Sequence, residues 1–80
     1  MFPIYVEVTV RAVDDQVVFP RVTVRLNMSV VESMAAIKLA EGVSFTRLAT
    51  RSKMFDVDET VAQIEQAMAA FMMRVITGNL

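Results

Sequence analysis

The 80-residue chain has no cysteine and no histidine. Without cysteine, neither a disulfide framework nor a thiolate metal site can form. That is compatible with a reducing compartment, and a cytoplasmic location is expected. No serine sits in a nucleophile-elbow context, and there is no glycine-rich phosphate loop. An enzyme is therefore not expected, nor is a cofactor. The carboxylates Asp56, Asp58 and Glu59 lie close together in sequence, but helix capping accounts for them more simply than a cation does. Gly and Pro occur only twice each, with no low-complexity run, which argues against disorder. No stretch approaches the ~18 apolar residues of a membrane span. Met1-Phe2-Pro3-Ile4 lacks a basic region and an uninterrupted apolar run, so no signal peptide is expected.

What the chain does have is apolar residues, which make up 55% of it. Eighty residues form one small domain, spanning 1–80, with little interior to hide that fraction. The excess points to a dimer interface or a partner surface. Seven methionines contribute, and Met68, Met72 and Met73 cluster near the C-terminus, as core filler or as an adaptable contact.

Phe2 to Val13 alternates, with Phe2, Ile4, Val6, Val8, Val10 and Ala12 on one face and Tyr5, Glu7, Thr9 and Arg11 on the other. This spacing predicts a half-buried strand. In a second strand Val18, Val22, Val24, Leu26 and Met28 face inward, and Arg21, Thr23 and Arg25 outward. A hairpin with both apolar sets on one face needs an odd loop, so three residues at 14–16 are expected. Glu7 would then oppose Thr23, Thr9 would oppose Arg21, and Tyr5 would oppose Arg25. Pro20 has no donor, so the second strand should be unpaired near it on at least one side.

Ser29-x-x-Glu32 reads as a capping box opening a helix, and Gly42 as a residue just past its end. Val43 to Phe55 supports two readings. Phe45, Leu48, Ala49 and Ser52 follow helical spacing with Ser44 as a cap, yet the same residues tolerate a strand. A final helix is expected from an Asp58 cap to about Ile76, stopped by Gly78. Its stripe of Val61, Ile64, Met68, Phe71, Met72 and Val75 is widened by Ala69, Ala70, Met73 and Ile76, so the helix is expected to face both its own domain and a second chain.

Charge is unevenly spread. From Arg21 to Lys53 six basic residues stand against two acidic ones, a net of +4, whereas the remainder carries −5. Arg21, Thr23 and Arg25 would present two bidentate donors and a hydroxyl along one strand face, and a two-stranded ribbon fits the major groove of duplex DNA.

Residues 21–55 resemble the ribbon-helix-helix fold of the Arc and MetJ class of repressors. The resemblance rests on R-V-T-V-R-L (Arg21–Leu26), the G-V-S junction at Gly42–Ser44, and apolar positions at Val31, Met34, Ile37, Val43 and Leu48. It implies a dimer whose ribbon reads bases through Arg21, Thr23 and Arg25. It also implies phosphate contact at a second helix beginning near Ser44 and Phe45, and nonspecific attraction from Lys38, Arg47, Arg51 and Lys53.

The expected architecture is α+β: an N-terminal antiparallel β-hairpin followed by two or three helices. The alternative is β-β-α-β-α, with residues 44–55 as a third strand. The expected function is a DNA-binding regulator or antitoxin-like repressor acting as a homodimer on a short operator. The alternative is a non-enzymatic protein-binding inhibitor or accessory factor, of the kind found in phages and mobile elements. It would use the hairpin face or the Met-rich helix. The sequence leaves open whether Arg21–Leu26 pairs within its chain or with another.

Overall fold

The computed structural model describes residues 3–78; Phe2, the first of the alternating apolar set, lies outside them. Five strands precede a single helix: β1 (Tyr5–Val13), β2 (Gln16–Asn27), β3 (Val31–Lys38), β4 (Ser44–Thr50), β5 (Met54–Val57) and α1 (Val61–Thr77). The strands form one antiparallel sheet in the order β2-β1-β5-β4-β3. This corrects both expected architectures. The segment read as the first helix is β3, and Val43–Phe55 holds β4 and the start of β5.

The helix signals had other uses. Ser29 opens no helix; its N–H donates to Asn27 Oδ1 at 3.0 Å within the 3-10 turn Met28–Val30. Gly42, at φ +78°, closes the β3–β4 hairpin, where a left-handed residue is needed just as it is after a helix. Helix propensity favours residues such as those of β3 by only tenths of a kcal/mol each. Pairing along β4 from Val31↔Thr50 to Lys38↔Ser44 overrides it. Ser44 therefore begins a strand, and the helix N-terminus that would offer amides to a phosphate does not exist.

The hairpin of β1 and β2 turns on two residues, Asp14 and Asp15, both at positive φ, rather than on three. Next to the turn Val13 faces Gln16 and Ala12 faces Val17, but beyond an irregularity Val10 faces Val22. Val18–Arg21, including Pro20, bulges out of register there. The bulge, not an odd loop length, provides the parity that puts Val8 and Val24 on one face. Thr9 consequently faces Thr23, Glu7 faces Arg25, and Tyr5 faces Asn27, two residues away from the expected register.

The sheet is rolled. β2 and β3 are its opposite edges, about 19 Å apart if it were flat, yet only Met28–Val30 joins them, a reach of about 14 Å. Between Val10 and Ala12 the pairing of β1 slips against β5 as well as against β2, the kind of irregularity at which strands bend. Rolling brings Val6, Val8 and Val10 over Leu48 and Val57, with Met28 closing one end.

β5 is too short to pair with the first half of β1. The chain fills that gap with α1, whose Ile64 is fully buried in the core and whose Phe71 meets Tyr5 edge-on at 6.2 Å. Burying a side chain like Ile64 contributes about 1.5–3 kcal/mol. Thr60, not Asp58, caps α1: it accepts from Gln63 N–H while Gln63 Oε1 accepts from Thr60 N–H. Gly78, at φ +76°, ends the helix.

Candidate functional site

The face of the sheet turned away from the core carries a polar lattice beside an apolar groove. Arg47 on β4 and Asp56 on β5 face each other, and Arg47 grips the buried carboxylate with Nε and Nη2 at 2.9 and 3.2 Å. The hydrogen bond to Asp56 raises the Arg47 pKa above its ordinary value; desolvation opposes this, and the charges of Asp56 and Asp15 add to it. Asp58, just beyond β5, meets Arg21 at 3.1 Å and Arg11 at 3.9 Å. Glu59 accepts both the N–H and the hydroxyl of Thr9 at 2.7 and 2.9 Å, and its carbonyl accepts the buried Thr46 hydroxyl at 2.6 Å. Asp56 ties β5 to β4, and Asp58 and Glu59 fasten the chain between β5 and α1 onto its neighbours. Among the described residues no group of three or more potential ligands is placed to hold a metal ion.

Phe45 lies beneath two guanidinium groups, Arg11 at 4.9 Å and Arg47 at 5.7 Å from its ring centroid. Next to it a groove of about 540 Å³ opens between the bulge of β2 and β4, lined among others by Ala12, Val18, Phe45 and Asp56. Val17 and Phe19 stand at its lip, 81% and 92% exposed. Arg21 and Asp15 place opposite charges on the same rim.

The residues singled out for DNA do not form one basic surface. Arg21, Thr23 and Arg25 lie on β2, but Arg21 is engaged with Asp58, and Arg25 stacks over Tyr5 at 4.8 Å. Arg47 is held by Asp56. Arg51 and Lys53 are exposed in the β4–β5 turn. That turn sits against the acidic Asp14-Asp15 turn, where Met54 N–H donates to Asp14 Oδ1 at 2.8 Å. Of Arg21–Leu26, Val22–Leu26 pairs with β1 of its own chain and Arg21 lies in the bulge, while β2 keeps its other edge free of any strand among the described residues.

On α1, Ile64 and Phe71 are spent in the chain's own core, while Val61, Met68, Met72 and Val75 are half-buried. The large apolar residues left outward are Met73 and Ile76, 59% and 71% exposed. No helix among the described residues is long and apolar enough to cross a membrane.

Sequence reasoning missed the groove. Its one legible sign was Phe19, a large apolar residue at a position where the alternation of β2 calls for a polar one. The chain matches no family model, and neither a curated protein nor a solved structure matches it.

Proposed function

We propose that this chain is a non-enzymatic protein-binding module, an inhibitor or accessory factor that docks a partner protein at the tip of its first hairpin. The observation that carries the reading is the exposure of Phe19 and Val17 beside a groove floored by Ala12 and Phe45. Two apolar side chains held almost wholly in water on an ordered strand gain free energy when a partner covers them. The lattice beneath them limits the ordering cost of binding, since β1, β4 and β5 are already fixed. The partner supplied by this reading is an exposed apolar side chain that enters the groove, flanked by polar groups able to meet Arg21 and Asp15.

Duplex DNA is the competing partner. Of its expected contacts, Arg21 and Arg47 are committed to carboxylates, which favours protein over nucleic acid. The two are separated by affinity capture from cell extract, run with wild-type protein and with Phe19→Ser. The protein-binding reading expects a partner retained by the wild type and lost by Phe19→Ser. It also expects no retardation of duplex DNA at ~50 mM salt, where phosphate attraction is strong. Retardation abolished by Arg25→Ala, with no partner sensitive to Phe19→Ser, would reverse the assignment.

A further inference from the structure

A second pocket, of about 380 Å³, lies at the opposite end of the β1–β2 ribbon from Phe19, between the start of β1 and the second half of α1. Tyr5, Glu7, Arg25, Ala70, Phe71 and Arg74 are among its lining residues.

Its two arginines are held by rings and not by acids. The Arg25 guanidinium stacks over Tyr5 at 4.8 Å and that of Arg74 over Phe71 at 5.8 Å, and the two rings meet edge-on at 6.2 Å. Stacking occupies the face of a guanidinium and leaves its N–H edge able to donate. Arg11, Arg21 and Arg47 are each paired with a carboxylate, whereas neither Arg25 nor Arg74 has such a partner among the described residues. Glu7 is the one acidic residue among the described lining, so the pocket carries a net charge of +1.

The backbone of β1 adds a second kind of contact. Thr9 turns its N–H to Glu59 Oε1 and its carbonyl to Asp58 N–H, on the side where β5 leads into α1. Ile4 turns its carbonyl the other way, to Met28 N–H. Backbone groups alternate between the two sides of a strand, so Glu7 turns its N–H and carbonyl toward α1. A helix bonds its own backbone groups internally, and among the described residues neither group of Glu7 is bonded.

We infer that this pocket takes an acidic side chain presented by another polypeptide, its carboxylate shared between Arg25 and Arg74 and its main chain bonded to Glu7. A single carboxylate neutralises the net charge, whereas a phosphoryl group brings more charge than the pocket balances and faces Glu7. Both arginines are exposed in the chain alone. A small free acid would therefore stay largely in water, unlike the ligands of enclosed sites; a polypeptide brings surface that covers it. The N–H and carbonyl of Glu7 together match a peptide group, which offers one acceptor and one donor. The pocket shares no lining residue with the groove at Phe19, so the inference stands or falls independently of docking there.

Amide chemical shifts of isotope-labelled chain, followed during titration with a blocked peptide of alternating alanine and glutamate, test the pocket. Saturable changes are expected at Tyr5–Glu7 and Ala70–Arg74, with Kd below about 1 mM, the range of weak association. Arg25→Gln and Arg74→Gln should each raise Kd about tenfold, the loss of one charge-assisted contact. Arg51→Gln removes the same charge in the β4–β5 turn and should leave Kd within about twofold, since distant exposed charges are screened. Glu7→Gln should lower Kd. All four side chains are exposed. The same peptide with glutamine for glutamate, and acetate or phosphate at equal concentration, should give no saturable change. These ligand comparisons need no substitution, so they decide even where a variant fails to fold. The inference is overturned by no saturable change at ~5 mM glutamate peptide, weaker than any useful association, or by equal binding of the glutamine peptide. Equal weakening by Arg51→Gln, or a footprint at Ala12 and Phe19 instead, also overturns it. Acetate or phosphate binding as tightly as the glutamate peptide would assign the pocket to a small anion and overturn it as well.

Discussion

Arg47 on β4 holds Asp56 on β5 through two hydrogen bonds, Nε to Oδ1 at 2.9 Å and Nη2 to Oδ2 at 3.2 Å. The carboxylate is almost entirely buried, whereas the guanidinium remains one-third exposed. Removing the arginine would strand a buried charge, and such a loss outweighs that of a surface pair. Arg47→Ala should therefore lower the urea midpoint well beyond Arg21→Ala, whose partner Asp58 is much more open to water. Equal midpoints for the two variants would contradict this ranking.

The pH dependence of that pair follows from the same contact. Asp56 raises the Arg47 pKa through its hydrogen bond. A group whose folded pKa is raised contributes stability in full below its unfolded pKa and loses it as pH climbs through the folded one. Both values lie in strong alkali for arginine. The stability gap between wild type and Arg47→Ala should thus stay constant from about pH 7 to 10. A gap that closes within this window would assign the stabilisation to another group.

Thr60 caps α1, and the choice between it and Asp58 is measurable. Thr60→Ala should cost about 1 kcal/mol and speed amide exchange in the first turn of the helix. Asp58→Ala removes partly exposed ion pairs to Arg11 and Arg21, worth about 1 kcal/mol, and should leave exchange at Gln63 unchanged. Faster exchange at Gln63 in Asp58→Ala alone would move the cap.

The first two strands and the last helix are legible in the sequence, the fold class is not, and the failures share one cause. Val6, Val8 and Val10 announce β1 because period-two alternation has no other use in a chain this short. Ile64 and Phe71 announce α1 by a seven-residue spacing between Thr60 and Gly78. β3 reads as a helix because Ser29-x-x-Glu32 and Gly42 imitate helix-end signals, which a 3-10 turn and a hairpin use instead. Its pairing with β4, including the slip between Val31 and Ser33, is invisible from β3 alone. The groove was hidden for a similar reason. Ala12 and Asp56 become neighbours only through the slip after Val10, and Phe45 joins them from a strand that looked equally helical. Local pattern records which residues are apolar; bulges decide what they face.

The orientation of α1 gives a further test. Ile64→Ala should cost about 2–5 kcal/mol by opening a cavity among Val8, Leu48 and Val57. Met73→Ala, on the outward side, should change stability by less than about 0.5 kcal/mol. Urea titrations of the two variants check this, and similar losses would mean that α1 buries a different face.

Docking of a partner protein at the hairpin tip is the central claim, and an amide chemical-shift footprint tests it most directly. Isotope-labelled wild-type chain is titrated with the partner retained in capture, and separately with duplex DNA. Perturbations from the partner are expected at Ala12, Val17–Arg21 and Phe45, with no saturable change from DNA. A partner footprint that avoids Phe19 and Phe45, or a saturable DNA footprint over Thr23, Arg25, Arg51 and Lys53, would contradict it.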